Sequence, residues 1–407
     1  MRNVVFAVPF ALETTLRFVR AAAELADVRL ILLSQEPLER FPDDLHPMLA
    51  GHIRVDDALD AQQIVAAVRR VAPQVGGRID GLIGILEQLQ VPLARAREEL
   101  GIEGLSLEAA RNFRDKARMK SVLRAHGLPC AAHALAQTSE EAVRAAKQIG
   151  FPLVVKPRAG AGAKGTFRIE HIEELEAYLR GWPVPTGEKI LLEQFMTGKE
   201  HSFDTVSIAG RHVLHSICEY YPTPLQVMQQ PWLQWCVVLP RAIDTPEFAA
   251  IHEVGPRALD VLGMKTGLTH MEWFRRPDGG VAISEVAARP PGAQFTSLMS
   301  WAHDCDFYQA WARLVTTGQF EVPERRFAVG AAFLRGQGDG HVKTVHGIEA
   351  LRAELGSLVV EARLPRIGQP RASSYEGEGY VILRDETTQR VLDGLDRVLE
   401  LIRVEIA

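Results

Sequence analysis

Two glutamates, Glu272 and Glu285, stand in two segments that a turn at Pro277–Gly280 connects. The turn residues favour a β-hairpin, in which the two carboxylates would lie roughly opposite each other. Like charges repel, so a pair flanked by apolar residues requires a compensating cation. Magnesium bridging nucleotide phosphates is the natural one, since it prefers one or two protein carboxylates plus phosphate oxygens. The alternative is a solvent-facing acidic hairpin, which the apolar flanks disfavour.

Two further side chains of this segment are candidates for chemistry. Arg289 lies four residues beyond Glu285, where a guanidinium could stabilise negative charge that develops at a reacting centre. A lone arginine is more often part of a surface ion pair, but the neighbouring carboxylates favour the functional interpretation. His270, two residues before Glu272, either orients a substrate or is a satisfied histidine of the sheet.

A glycine-rich stretch, Gly160–Gly165, matches G-x-G-x-x-G and follows an apolar strand. The dinucleotide fingerprint requires a helix directly afterwards, whereas 166–169 alternates like a strand. A Walker A loop is also excluded, because Lys164 precedes the last glycine. The stretch is therefore expected to be a flexible turn between antiparallel strands, with amides able to cover phosphates. A plain hairpin is an equally compatible interpretation.

The elements that would position these residues fall into three regions. Over the first hundred residues, short apolar runs alternate with amphipathic helices, which predicts a parallel sheet covered on both faces. This lobe is Rossmann-like, although it lacks a glycine fingerprint at its first turn. From Ser106 onward, strand pairs joined by tight turns predict antiparallel sheet and an α+β arrangement. A third region of alternating strands and a final helix follows Pro323.

The composition limits the partners and the compartment. The chain has 407 residues, of which 47% are apolar and 24% charged, and this excludes intrinsic disorder. A net charge of -5 gives no reason to expect a nucleic-acid or membrane partner. Four widely spaced cysteines and the absence of a bilayer-length apolar run are typical of a cytoplasmic protein. Lysines are scarce, nine against thirty-seven arginines, so each lysine is worth locating.

Several motifs, in the same order as in a known family, extend along the chain. They are Asp115-Lys116, the strand 151–157 with the glycine-rich stretch after it, Leu192–Glu200, His270–Glu272 and Glu285–Arg289. With these motifs the chain resembles the ATP-grasp superfamily, specifically carboxylate-amine ligases such as the L-amino-acid (dipeptide) ligases.

The resemblance implies an α/β and α+β fold of ATP-grasp architecture. The implied domains are a Rossmann-like pre-ATP-grasp domain (1–108), an ATP-grasp domain (109–325) with a nucleotide-covering subdomain (109–192) and a catalytic subdomain (193–325), and a C-terminal subdomain packing on this core (326–407).

The resemblance also implies roles for individual residues. The implied cofactor contacts are Lys116 and Lys156 on the ATP phosphates, Gly160, Gly162 and Lys164 in the covering loop, Glu193 and the Phe195 backbone on adenine, Glu200 on ribose, and Glu272 and Glu285 on one or two magnesium ions. Arg289 would face an acyl phosphate and a tetrahedral intermediate, with amides near Gly292 assisting. Many relatives have asparagine where this chain has Ala287, so the second metal is expected to be held less firmly.

The expected activity is ATP-dependent joining of a carboxylate to an amine through an acyl phosphate, with small-molecule substrates and a homodimeric assembly. Biotin-carboxylase-like activation of bicarbonate and a non-catalytic nucleotide-binding protein are the alternatives. Glu87, just past the third predicted strand, is a candidate for recognising a substrate amino group, or it is a solvated loop acid. Lys120 and Lys147 are expected to be solvated charges on helix faces.

Overall fold

The N-terminal region forms a parallel sheet with helices on both faces. The computed structural model describes residues 1–157, 165–185, 187–230 and 233–407. The first elements are β1 (Arg2–Ala7), α1 (Glu13–Ala23), β2 (Val28–Ser34), β3 (Gly51–Arg54), α2 (Ala61–Val71), β4 (Gly81–Ile83) and α3 (Gln90–Leu100). The strand order is β3-β2-β1-β4, with parallel pairing throughout. The predicted parallel sheet is confirmed, and a short 3₁₀ turn just after β4 carries Glu87.

Two helices and a small antiparallel sheet follow. These elements are α4 (Leu107–Arg114), α5 (Lys116–Ala125), β5 (His133–Ala136), α6 (Ser139–Ile149), β6 (Leu153–Pro157), β7 (Phe167–Ile169), α7 (Ile172–Gly181) and β8 (Ile190–Gln194). The sheet order is β5-β8-β6-β7. The strands on either side of the glycine-rich stretch, β6 and β7, pair antiparallel. This pairing confirms the predicted strand after that stretch and excludes the helix that a dinucleotide fingerprint requires.

The rest of the chain builds one large sheet and its covering helices. Its elements are β9 (Lys199–Ile208), β10 (Arg211–Tyr221), α8 (Pro224–Gln229), β11 (Trp235–Leu239), α9 (Ala249–Leu262), β12 (Gly267–Arg275), β13 (Val281–Ala287), α10 (Phe295–His303), α11 (Phe307–Thr317), β14 (Ala328–Leu334), β15 (Val342–His346), α12 (Ile348–Leu355), β16 (Val359–Arg363), β17 (Gly379–Asp385), α13 (Thr388–Leu401) and β18 (Arg403–Ile406). Eight strands pair in the order β13-β12-β9-β10-β11-β14-β17-β16.

Strands from both sides of residue 325 belong to this sheet, because β14 pairs with β11. The C-terminal segment therefore continues the central sheet through main-chain hydrogen bonds, in addition to packing on it. Tyr220 lies in β10 and Trp235 in β11, and both are buried in the core because the strand alternation turns them inward.

The parallel lobe and the large sheet share one apolar core. Helix α1 packs against α11, where Phe18 meets Trp311 edge to face with ring centroids 5.0 Å apart. Arg17, one residue earlier, donates hydrogen bonds to Ser297 on α10 and to Tyr380 on β17. These contacts fix the parallel lobe beside α10, close to the end of the β12–β13 hairpin. Within the described part of the chain, no helix combines the length and the apolar character needed to cross a bilayer.

Candidate active site

The β12–β13 hairpin pairs Glu272 with Glu285, through a bulge beside Glu272, and so confirms that the two carboxylates lie opposite each other. Both side chains are partly exposed, at 32% and 23%, so they do not lie in a closed core. Burial and the neighbouring Glu285 raise the pKa of Glu272 above its ordinary value. Burial also favours the neutral form of Glu285, but Lys116 and Lys156 outweigh it and lower the pKa of Glu285 to about 2. The pair is therefore an acidic site whose charge is balanced by lysines.

Lys116 reaches this pair from the start of α5. Asp115 caps the helix by accepting the amides of Ala117 and Arg118, which fixes the lysine at the first helical position. The Lys116 Nζ lies 2.5 Å from Glu285 Oε1, and the residue is buried. Asp115-Lys116 thus joins a helix cap to the acidic hairpin.

Lys120, one turn later on α5, is not the solvated charge that its helical position suggested. It is completely buried, donates to the carbonyl oxygen of Ser284 and lies 3.4 Å from Glu193. Burial lowers the pKa of Lys120, although Glu193 opposes this effect. The solvated interpretation was wrong because residues four apart share a helix face, and Lys116 already fixed that face toward the hairpin. Lys147, in contrast, is exposed as expected.

Glu193 on β8 lies between two lysines. Its Oε2 is 2.7 Å from Lys156 Nζ on the neighbouring strand β6, and its Oε1 faces Lys120. Burial raises the pKa of Glu193, but the two lysines lower it by more. Burial alone would lower the pKa of Lys156, whereas Glu193 and Glu285 raise it. Glu193 is therefore held by two ion pairs, and its contact with adenine stays a prediction.

The predicted adenine-reading backbone is also engaged. The Phe195 amide donates to the carbonyl of Pro152 at 3.0 Å, so the donor that a purine nitrogen would need is occupied. The ring of Phe195 packs against the guanidinium of Arg168, 4.1 Å from the ring centroid. Gly160, Gly162 and Lys164 lie outside the described residues.

Glu200 enters the same network from β9. It is buried, and its cross-strand partner is Phe274, two residues beyond Glu272. Burial and the charge of Glu272 raise the pKa of Glu200 well above its ordinary value, while Lys156 acts in the opposite direction. The residue predicted to bind ribose thus adds a third acid beside the hairpin.

His270 has a specific partner in the sheet. Its Nδ1 lies 2.5 Å from Asp204 Oδ1 on β9, and its Nε2 is 3.9 Å from Glu272 Oε1. Burial would lower the pKa of His270, but Asp204 and then Glu272 raise it. Asp204 is buried and also accepts from Ser202. The sequence did not single out Asp204, although a carboxylate in the middle of a strand within the core was a usable signal.

Arg289 meets a residue of the N-terminal lobe. Its Nε donates to Glu87 Oε2 at 2.7 Å, and Arg114 lies 4.0 Å from the other carboxylate oxygen. Glu87 is buried, which excludes the solvated loop acid. Burial would lower the pKa of Arg289, whereas Glu87 raises it. Gly292 is exposed between β13 and α10, and an added Cβ there would meet nothing within 4 Å.

The donor set suits a magnesium ion that is completed by a phosphate ligand. Glu272 and Glu285 supply two carboxylates side by side, with the repulsion that a divalent cation relieves. In the described ranges, no group of three histidine, cysteine, aspartate or glutamate side chains is arranged to hold a metal ion, either at this hairpin or elsewhere. These residues therefore do not form a metal site from protein ligands alone. They suit a site in which phosphate oxygens complete the coordination of the ion.

Comparisons with known proteins agree with this arrangement. The family model described as an ATP-grasp domain matches residues 121–300. An L-arginine-specific L-amino acid ligase of Bacillus subtilis is 25% identical over 63% of this chain and 62% of its own length. An alanine–anticapsin ligase of the same species is 24% identical over 64% of this chain and 59% of its own length. The chain thus spans about three fifths of these ligases.

The fold comparison extends over the whole chain. The crystal structure of an L-amino acid ligase from Bacillus licheniformis superposes with a TM-score of 0.81 and 20% identity, covering 100% of this chain and 99% of that one. The matched domain includes α5 apart from its first turn, the antiparallel sheet and the acidic hairpin. The chain has the ATP-grasp fold, and residues 121–300 match the ATP-grasp domain family.

Proposed function

We propose that the protein is an ATP-dependent carboxylate-amine ligase that forms an amide bond through an acyl phosphate. The observation that carries this proposal is the pairing of Glu272 with Glu285, in contact with Lys116 and in the field of Lys156. Phosphoryl transfer needs divalent cation ligands and fixed positive charge around the phosphates, and these four side chains supply both.

Lys116 and Lys156 are paired with carboxylates in this structure. A bound nucleotide would release both lysines from these pairs. Lys116 contacts Glu285 and Lys156 contacts Glu193, so the buried charges neutralise one another in this structure. With ATP bound, both lysines would turn from carboxylate to phosphate oxygens, and Glu272 and Glu285 would hold magnesium, which would supply charge neutralisation for phosphoryl transfer. Lys120 stays with Glu193 and preserves the local charge balance. Glu200 is proposed for the ribose hydroxyls.

The acid substrate is activated beside Arg289. Its carboxylate oxygen attacks the γ-phosphate, forming a new phosphorus–oxygen bond as the bond to the ADP oxygen breaks. The amine then attacks the acyl carbon, phosphate leaves, and the Arg289 guanidinium stabilises the oxyanion of the tetrahedral intermediate. An amide at the Gly292 turn is a second proposed donor. Glu87, fixed between Arg289 and Arg114, would hold the substrate amino group at the junction of the two lobes.

His270 is proposed to orient Glu272. It lies between buried Asp204 and Glu272, and its positive charge favours the ionised form of that glutamate. The activities of two relatives, an L-arginine-specific L-amino acid ligase and an alanine–anticapsin ligase, support amino acids as the substrate class. The homodimer and the cytoplasmic location stay predictions.

The test is an incubation of the purified chain with ATP, magnesium and pooled amino acids. We expect ADP and phosphate in equal amounts, and new masses equal to two substrates minus one water. Bicarbonate in place of the amino acids should release no phosphate. Phosphate release that required bicarbonate, or an absence of turnover across the pool and across other acids paired with amines, would overturn the proposal.

A further inference from the structure

A cavity of about 430 Å³ lies beside the large sheet, and no residue of the acidic hairpin lines it. It opens where β11 stops at Leu239 while its neighbour β10 continues back to Arg211, so the two strands leave a gap between them. The loop after β11, including Ala242, forms one wall, and the segment leading into β14 forms another. Its volume is in the range of small-molecule sites.

The lining of this cavity combines two arginines with three histidines. Arg241, Arg325, His215, His252 and His303 reach it from five different segments of the chain. Among the described residues the lining includes a single carboxylate, Asp244, whose side chain is almost fully exposed at the rim, 3.9 Å from His252. His215 contacts Thr205, and His252 contacts the carbonyl of Ile243. The electrostatic balance of the lining is therefore positive.

Arg325 is held in the cavity wall by neutral groups. It donates to the carbonyl of Pro240 at 2.9 Å and to Ser216 at 2.7 Å, while its Nε is buried without a hydrogen-bond partner among the described residues. None of its contacts in the described ranges is a carboxylate salt bridge. Burial lowers the pKa of Arg325 to about 10, since Cys218, Asp204 and Asp244 compensate only in part.

His303 adds a buried imidazole to the cavity wall. It is 95% buried, and neither ring nitrogen makes a well-aligned hydrogen bond with the described part of the chain. Burial lowers the pKa of His303 to about 4, and hydrogen-bonding contacts with the backbone of Glu324 and Pro323 oppose this effect only in part, so the neutral ring offers one donor and one acceptor. A buried polar ring without partners is costly unless a ligand or a water satisfies it.

Arg97 shows that a buried arginine without a carboxylate is not by itself a site. Burial also lowers the pKa of Arg97 to about 10, yet its guanidinium is fixed by the carbonyls of Leu82 and Leu105, and it does not line this cavity. Arg325 differs because open space, a second arginine and His303 adjoin it. The combination distinguishes a binding site from a structural contact.

We infer that this cavity binds a small phosphate-bearing metabolite, with Arg325 and Arg241 on the phosphate oxygens and His303 as an additional hydrogen-bond partner. Guanidinium groups form paired, charge-assisted hydrogen bonds with phosphate, and the volume of about 430 Å³ leaves room for an organic portion. The site shares no residue with the proposed ligase centre, so it would add a second ligand to the protein.

The experiment is calorimetric titration of the full chain at constant ionic strength, without magnesium, using inorganic phosphate and ribose 5-phosphate as probes. We expect saturable binding of ribose 5-phosphate to the wild type, weakened at least about tenfold in Arg325→Met and about two- to fivefold in Arg241→Ala. Lys156→Ala is the control for the proposed nucleotide site and should leave this binding component in place. Because it breaks the buried pair with Glu193, circular dichroism must first show that the variant is folded.

Arg241 is exposed, so its variant tests the inference even if Arg325→Met does not fold, and His303→Phe provides a third variant of similar volume. Binding that is unchanged in Arg241→Ala and His303→Phe would overturn the inference, as would an absence of binding to the wild type. Binding that is lost only in Lys156→Ala would assign the phosphate to the nucleotide site and would also overturn it. Citrate that bound while both phosphate probes failed would contradict the phosphate assignment.

Discussion

The lysine-glutamate cluster and the cavity around Arg325 solve the same electrostatic problem differently. In the first, Lys116, Lys156 and Lys120 each contact a carboxylate, so the charges balance within the protein. In the second, Arg325 has only neutral partners, and His303 has unused ring nitrogens in the described part of the chain. A balanced cluster can exchange its partners when a ligand arrives, whereas an unbalanced one gains its missing partner from the ligand.

The two regions should also differ in how much stability is lost when a charged side chain is removed. Breaking a buried ion pair leaves the remaining charge without compensation, which is strongly destabilising. Removing a cation that has no anionic partner relieves a desolvation penalty and loses only its hydrogen bonds. Variants in the two regions therefore test the comparison directly.

The largest expected effect is on catalysis at the acidic hairpin. Glu285→Gln removes a carboxylate that faces Glu272 and contacts Lys116. We expect magnesium-dependent ADP release to fall at least about a thousandfold, because charge stabilisation worth several kcal/mol is lost from phosphoryl transfer. Initial rates at saturating ATP measure this change. Asp278→Asn, in the exposed turn of the same hairpin, is the control and should retain full activity.

The next effect is on stability in the balanced cluster. Lys120→Met replaces a completely buried lysine and leaves Glu193 with Lys156 as its remaining cation. The free energy of unfolding should fall by about 3–5 kcal/mol, as for other broken buried pairs. Denaturant titration followed by circular dichroism measures this free energy. The control Lys147→Met, on the exposed face of α6, should stay within about 0.5 kcal/mol of the wild type. Equal effects of the two substitutions would remove the distinction between a paired and a solvated lysine.

Replacing Arg325 of the cavity by methionine should lower the free energy of unfolding by less than Lys120→Met does. Arg325→Met leaves the Pro240 carbonyl and Ser216 without their donor, but it also removes a charge with no carboxylate partner among the described residues. We expect a loss of roughly 1–2 kcal/mol, smaller than that of Lys120→Met. The same denaturant titration compares both variants on one scale. A loss as large as that of Lys120→Met would show that Arg325 is a structural element and would weaken the comparison.

The sequence predicted the parallel sheet and the hairpin because these depend on local pattern. Apolar runs separated by amphipathic helices produced the parallel lobe, and the turn at Pro277–Gly280 produced the hairpin. The bulge beside Glu272, which brings Glu285 opposite it, was not predicted. Nor was the pairing of β14 with the central sheet, since pairing between distant strands leaves no local signal.

The candidate site was predictable in its residue types and less so in its contacts. Lys116, Lys156 and the two hairpin glutamates come together as the motifs indicated. The burial of Lys120 and the ion pairs of Glu193 depend on how α5 packs against the sheets, which spacing alone does not fix. Glu87 meets Arg289 across 202 positions of sequence, so only the folded chain reveals that contact.

The smallest expected effect concerns Glu361, a third charged group, whose partners come from both lobes. Glu361 accepts from Tyr380 at 2.7 Å and from Trp301 at 3.0 Å, and it contacts Arg17 of the N-terminal lobe at 3.2 Å. Burial raises the pKa of Glu361, but these partners lower it below its ordinary value. A lowered folded-state pKa means that the stabilisation is complete above the unfolded value and disappears as the pH falls through the folded one.

Glu361→Gln should therefore cost roughly 1 kcal/mol near neutral pH, and its stability should converge with that of the wild type in acid. Thermal unfolding of both proteins between pH 7 and pH 3 measures the convergence, with Glu349→Gln on exposed α12 as the control. A gap that stayed constant across this range would mean that the charge of Glu361 contributes nothing and that shape alone holds the lobes together.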